Sequence, residues 1–249
     1  MREKMFIGQL RGTIFAPLNI GYTPETYKEF CDLLLPGAKA LSANQPEMIV
    51  PGFNPNMPQY GLPWRLFKKA QGDEGDYNIV FLPGKIDIIY TKDTPYGTDT
   101  EEKFCELCTN LFNRILAKHD NLKVTRIAYA PLYAVRQDAD GSDYVWSRFI
   151  KRTAIDGIRL QDVNFSFLLK KEIEFNGRTI QMNLLHNISD GVQIKHNGSD
   201  NTTQKVVLLQ LDLNSIPEQT LTLDSNGVKD FFKQITKVRE NLVDNVAEQ

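Results

Sequence analysis

The residues of this chain whose types could do chemistry are few and widely spaced. Its 249 residues include three cysteines, and two of them, Cys105 and Cys108, form a C-x-x-C. A structural zinc site needs about four thiolate or imidazole ligands, and a redox pair usually lies at a helix start that favours the thiolate. No second C-x-x-C exists, and Cys108 falls on the apolar stripe of a predicted helix. We therefore interpret both cysteines as buried packing residues.

The three histidines give no clear metal site. His119 ends the same predicted helix, where a positive charge suits the helix dipole. His186 and His196 flank a predicted polar loop, and Asp190 and Asp200 are the carboxylates available to support a metal ion there. Solvated loop residues explain this group more simply than a metal ion does.

Two acidic residues, Asp87 and Asp212, stand alone in apolar strand-like runs. If both faced one cleft, they could act as general acid and base or bind a divalent ion. A pairing arginine, or solvation at a strand end, explains each with less effort. The common nucleotide, dinucleotide, serine-hydrolase and zinc-protease motifs are absent from the sequence. We therefore predict no catalytic residue, no metal ligand and no cofactor.

One charge asymmetry lies in the middle of the chain. Between Arg114 and Lys171, eleven Lys/Arg residues face six Asp/Glu residues, although the whole chain has a net charge of −2. Basic groups interleaved with aromatic residues suit a single-stranded nucleic acid or a phosphorylated ligand. The simpler alternative is that the arginines decorate the outer face of a strand. The candidate ligand-binding residues of the segment 126–159 are Arg126, Tyr129, Arg136, Trp146, Arg148 and Arg152.

A proline-rich stretch, residues 36–63, holds six of the twelve prolines. Proline removes backbone donors and disfavours helix at the preceding residue, so we expect no regular structure there. Interleaved apolar residues distinguish the stretch from a disordered linker. We predict an ordered arm that either covers a sheet edge or binds a partner through Phe53, Tyr60 and Trp64.

The elements that would position these residues alternate between strands and helices. The stretch from Tyr77 to Arg136 reads as strand, tight turn, strand, helix and strand, with a capping box from Thr98 to Glu101 at the helix start. A strand–helix–strand crossover of this size predicts parallel neighbouring strands. Later, Asn176-Gly177 predicts a hairpin, and a final helix opens near Ser225.

The two halves of the chain show the same order of strands, polar connection and capped helix. We predict an α+β fold of two similar lobes, each a mostly antiparallel or mixed sheet covered by a long amphipathic helix. The N-terminal lobe would span residues 1–137 and include the arm, and the C-terminal lobe would span 138–249. The two lobes are expected to associate as one compact unit.

Composition indicates a globular protein outside the membrane. No run approaches about 18 uncharged apolar residues, and the amino terminus lacks a signal-like apolar stretch. Three cysteines give no disulfide framework, so we expect a reducing, cytoplasmic location.

Several runs carry a resemblance to a known family. They are IDIIY at 86–90, VTRI at 124–127 and LLQLDLN at 208–214, followed by a terminal helix. In order and spacing, the last two-thirds of the chain resembles a sporadically distributed family of uncharacterised prokaryotic proteins. That family has no established activity, so the resemblance implies a fold and no mechanism.

We expect a non-catalytic binding or interaction protein, with a protein or a small ligand as its partner. Self-association into a homo-oligomer is compatible with the sequence. One alternative is a nucleic-acid- or nucleotide-handling protein that uses the segment 126–159. A second is a metal-dependent hydrolase centred on Asp87, Asp212 or the histidine loop.

Overall fold

The computed structural model describes residues 5–21, 23–35, 39–41, 64–69, 75–119, 123–137, 145, 163–175, 177–197, 200–216, 221 and 223–248. The strands in these ranges are β1 (Met5–Phe15), β2 (Lys39–Leu41), β3 (Trp64–Lys68), β4 (Asp76–Leu82), β5 (Lys85–Pro95), β6 (Arg126–Tyr129), β7 (Leu132–Arg136), β8 (Asn164–Phe175), β9 (Arg178–Asn197) and β10 (Asp200–Ser215). The helices that we discuss are α1 (Pro24–Leu34), α2 (Thr100–Lys118) and α3 (Ser225–Glu248).

The described strands form one antiparallel sheet, which confirms the α+β class. Its order is β2-β3-β4-β5-β1-β6-β10-β9-β8, and β7 continues along β6 by pairing with β1 and β10. The structure does not confirm two separate lobes. Two strands of the predicted N-terminal lobe, β6 and β7, pair directly with β10 of the predicted C-terminal lobe.

The helices lie together on one face of this sheet. A Cβ atom added to Gly12 of β1 would lie 2.6 Å from Cys108 Sγ of α2 and 3.3 Å from Phe232 Cζ of α3. Nearer one edge, the ring of Phe30 in α1 packs 6.1 Å from that of Trp64 in β3. All three helices therefore cover the same side of the sheet, and α2 and α3 contact each other.

We call the opposite side of the sheet the outer face. Successive side chains in a strand point to opposite sides, so Arg11, Thr13 and Phe15 of β1 lie on the outer face when Gly12 faces the helices. Their pairing partners on β5 and β6 belong to the same face. This face carries most of the outward-pointing charged groups discussed below.

The crossover from β5 through α2 to β6 differs from the prediction. The two strands β5 and β6 run parallel to each other as expected, because each pairs antiparallel with β1, but they are not neighbours since β1 lies between them. The strand expected over 124–135 is also interrupted. Pro131 has no N–H to donate, so the chain breaks into β6 and β7 there, and the Pro131 carbonyl accepts from Leu211 N at 3.0 Å.

The predicted polar loop after His186 is instead part of a long hairpin. Strand β9 extends to Asn197, and β10 begins at Asp200. The whole length of β10 pairs with β9. Asparagine, threonine and glutamine are frequent in this extension, and its apolar residues Val192 and Ile194 are exposed. The polar side chains can be solvated on both faces of a two-stranded ribbon, so composition alone did not reveal the strand.

Candidate functional site

The most concentrated group of polar side chains surrounds Glu101, in the first turn of α2. The Glu101 carboxylate is 4% exposed, and the hydroxyls of Tyr129 and Tyr133 donate to its Oε1 at 2.7 and 2.6 Å. The Arg239 guanidinium of α3 lies 3.3 Å from its Oε2. One carboxylate therefore joins both long helices to the middle of the sheet.

The capping box expected at this helix start does not form. The N-cap residue is Asp99, and its side chain makes no capping hydrogen bond. The Thr98 hydroxyl instead donates to the Pro95 carbonyl at 3.1 Å. Glu101 cannot cap the helix because its carboxylate turns toward the two tyrosines. The capping-box pattern is present in the sequence, but the glutamate that would complete it binds the two buried tyrosines instead.

Charges and burial in this group shift the pKa values of its two tyrosines and its arginine. Burial, and next the Glu101 charge, raise the pKa values of Tyr129 and Tyr133 well above their usual range, so both hydroxyls remain donors. Burial alone would lower the pKa of Arg239, but Tyr133 and Glu101 raise it on balance. Arg239 also donates to the Tyr96 hydroxyl at 2.9 Å. The group is a buried structural network, in which Arg239 Nε has no hydrogen-bond partner in the described part of the chain.

A groove of about 600 Å³ runs between α2 and α3 beside this network. Its walls carry Glu102 and Glu106 from α2 against Lys229 and Lys233 from α3, with Cys105 also in the lining. Burial raises the pKa of the Cys105 thiol far above its usual range, so this cysteine is not a nucleophile. The groove has charged walls and no activated group.

A second polar group, on the outer face, surrounds Asp87 of β5. Asp87 is 1% exposed, and Arg11 Nη2 and Lys85 Nζ lie 2.5 and 3.1 Å from its Oδ2. The Thr13 hydroxyl donates to Oδ1 at 2.6 Å. The pairing arginine considered as the simpler explanation of Asp87 is therefore present. A carboxylate paired this fully is not available as a general base.

The ring of Phe15 lies next to this group and between two cations. Lys85 Nζ is 5.5 Å and Arg126 Cζ is 5.0 Å from the ring centroid. Strand register explains the arrangement, because Lys85 of β5 and Arg126 of β6 both pair directly with Phe15 of β1. We call Arg11, Phe15, Lys85, Asp87 and Arg126 the outer cationic cluster. Its three cations outnumber its one carboxylate.

The remaining predicted ligand residues do not gather at this cluster. Tyr129 is fully buried on the helix side of the sheet, and Trp64 is also fully buried. Arg136 lies on the outer face, with its guanidinium 3.7 Å from the ring centroid of Phe6. Phe6 and Phe15 are nine positions apart on β1, which is about 30 Å. Five further predicted residues lie outside the described ranges: Phe53, Tyr60, Trp146, Arg148 and Arg152.

The two histidines expected near one loop are far apart. His186 and His196 lie ten positions apart on β9, which is about 33 Å. His186 is 2% exposed and stacks on Phe167 at 4.4 Å, and burial lowers its pKa. Neither of its ring nitrogens has a hydrogen-bond partner in the described part of the chain.

The carboxylates do not make a metal centre with these histidines. Asp212 Oδ1 accepts from Asn214 Nδ2 at 2.9 Å, and it lies three strands away from Asp87 across the sheet. Within the described ranges, no group of three or more His, Cys, Asp or Glu side chains could hold a metal ion.

Comparison with known proteins adds no relative. No protein-family model matches the chain, and no curated protein matches it. The resemblance to the prokaryotic family described above stays a prediction. None of the described helices is both long and apolar enough to traverse a bilayer.

Proposed function

We propose that this protein is a non-catalytic binding protein whose partner binds at the outer cationic cluster. The observation that carries the proposal is the pair of cations, Lys85 and Arg126, that flank the Phe15 ring. An ammonium and a guanidinium beside one aromatic ring can contact an anionic group and a flat apolar group together. The described helices lie on the other side of the sheet.

The state of the acidic residues supports a binding role over a catalytic one. Glu101 is closed off by Tyr129, Tyr133 and Arg239, and Asp87 by Arg11, Lys85 and Thr13. A general acid or base must reach a substrate proton. The best-positioned acids already use their oxygens on neighbours within the protein.

The net positive charge of the outer cationic cluster favours an anionic partner, with carboxylate or phosphate groups. The proline-rich arm, residues 36–63, is proposed to add contacts through Phe53 and Tyr60. Trp64, just after the arm, is fully buried, stacks on Phe81 at 4.2 Å and would anchor the end of the arm.

Binding of labelled polyglutamate and of labelled oligothymidylate, followed by fluorescence anisotropy at low and moderate salt, tests this proposal. Lys85→Met and Arg126→Met should each weaken binding several-fold and reduce the salt slope for the oligonucleotide by about one. Lys103→Met, an exposed lysine on α2, is the matched control and should change nothing. The proposal fails if neither probe binds at low salt, or if all three variants bind like the wild type.

A single-stranded nucleic acid is a second candidate partner. A specific observation favours it: Arg126 on Phe15 and Arg136 on Phe6 make the same arginine–aromatic stack on the same face, about 30 Å apart. Bases can stack on aromatic side chains while the arginines neutralise phosphates. A strand that spans both stacks would use both arginines.

Oligonucleotide length separates this candidate from a compact anionic ligand. Arg136→Met should weaken binding of a long oligothymidylate and leave unaffected both a short oligothymidylate and a polyglutamate too short to reach both stacks. Equal affinity of polyglutamate and the long oligothymidylate, with no effect of Arg136→Met, would rule the nucleic acid out and retain a compact anionic partner.

A further inference from the structure

Strand β8 is twelve residues long, and the middle of the strand is exposed on both faces. It ends the described sheet, in which β9 is its one neighbouring strand, and Gln234 Nε2 of α3 donates to the carbonyl of Glu174 near its C-terminal end at 2.6 Å. Five consecutive residues in its middle, Leu168 to Glu172, are exposed, and Leu168 and Leu169 are 54% and 44% exposed. Consecutive side chains point to opposite faces, so β8 is open on both faces at this point.

Apolar surface accompanies this open edge. Leu168 pairs across the strands with Leu185 of β9, and Leu185 is itself 37% exposed on the same outer face. Edge strands present a row of backbone donors and acceptors that can pair with another chain. Charged residues often prevent such pairing, so the arrangement of the charges on β8 decides what the edge can accept.

We propose that β8 pairs antiparallel with β8 of a second copy of this chain, about a two-fold axis at Lys171. Each residue then lies opposite the one equally far beyond Lys171 in the other copy. Lys170 faces the partner's Glu172, and Leu169 faces the partner's Ile173. Two ten-stranded sheets become one continuous sheet.

The sequence of β8 is self-complementary in this register and not in the neighbouring ones. Lys170 and Glu172 form two opposite-charge pairs on the outer face, and Phe167 faces the partner's Phe175 on the other side. A shift to the next register in either direction would place Lys170 or Glu172 opposite itself, and like charges directly opposed destabilise a strand pair. The one like pair that remains is Lys171, whose long side chains can extend into water.

Charge reversal tests the proposed register. The dimer fraction of the full chain is measured by sedimentation velocity over a concentration series. Lys170→Glu and Glu172→Lys should each weaken the dimer by at least about tenfold, because each change replaces two attractive pairs by two repulsive ones. The double variant with both changes should recover wild-type association. Val192→Lys, at a 61% exposed residue of β9 beyond the end of β8, is the control and should leave the dimer intact.

Cross-linking provides a second measurement that does not depend on weakening the dimer. Lys171→Cys should form a disulfide between copies under mild oxidation, because the two Lys171 positions face each other across the axis. Lys103→Cys, at an exposed position of α2, should form no such disulfide. A monomer at every concentration, a dimer indifferent to Lys170→Glu, or equal cross-linking at both cysteines would each overturn the proposal.

Discussion

The buried pair of Glu101 and Arg239 should contribute strongly to the stability of this protein. Their side chains are only 5% and 6% exposed, so water can compensate neither charge when its partner is removed. Glu101→Gln keeps an acceptor for Tyr129 and Tyr133 but leaves Arg239 with a buried charge. Arg239→Met leaves the Glu101 carboxylate with the two tyrosine donors and no counter-charge.

The expected magnitudes follow from this geometry. Breaking a buried ion pair by removing one partner costs about 3–5 kcal/mol. We expect about 3 kcal/mol for Glu101→Gln, because the tyrosine hydrogen bonds survive, and about 4 kcal/mol for Arg239→Met. After one substitution has left the other residue with an unpaired buried charge, the second substitution removes that charge and its cost. The double variant should therefore lose about 2–3 kcal/mol less than the sum of the single losses.

Urea unfolding followed by far-UV circular dichroism measures these losses at constant m-value. Lys103→Met breaks the exposed ion pair with Asp99, whose side chains are 68% and 62% exposed, and should have no measurable effect. Strict additivity of Glu101→Gln and Arg239→Met would refute the reasoning, since it would mean that the two side chains do not interact. Single losses no larger than that of the Lys103 control would refute it equally.

Three further predictions concern the core and its titratable groups. Gly12→Ala should destabilise the protein, because the new Cβ would lie 2.6 Å from Cys108 Sγ, and Cys108→Ala should restore much of the loss in thermal unfolding. His186→Phe should remove two unpartnered nitrogens. Burial lowers the His186 pKa, so the unfolded state takes up a proton first and wild-type stability falls as pH drops below 6.5; in urea titrations the variant should lack this loss. Tyr129 and Tyr133 have raised pKa values, so the unfolded state loses protons first and stability falls as pH rises above 10; Tyr133→Phe should flatten that fall, and an unchanged slope would contradict it.

Local sequence signals predicted the elements that depend on neighbouring residues. A threonine before a proline, as in Thr23-Pro24, is a typical helix start, and at the start of α1 the Thr23 hydroxyl accepts from Thr26 N at 3.1 Å. Asn176-Gly177 predicted the β8–β9 turn, where Gly177 has a φ of +70°. In both cases a few adjacent residues determine the geometry. The hydrophobic spacing of α2 likewise predicted burial of Cys108.

Pairing between distant residues was not predictable in the same way. Nothing near β5 or β6 indicates that β1 lies between them, because that position depends on residues about 75 to 115 positions earlier. Glu101 carried a real capping signal, and only the tertiary structure brings Tyr129 and Tyr133 to it. The side of the sheet on which Tyr129 lies was, by contrast, predictable from the sequence. Its odd spacing from Arg126 within one strand already places the two on opposite sides of the sheet.

The central position of β1 also has a consequence for how the chain folds. The strand precedes its partners, residues 85–95 and 126–136, by a long stretch of chain and is therefore synthesised well before them. Its apolar side chains, Leu10 and Ile14 among them, stay without their neighbouring strands until those later residues have been synthesised. Contacts of such long sequence separation slow folding. A nascent chain of this protein should depend on protection of β1 far more than the finished structure would suggest.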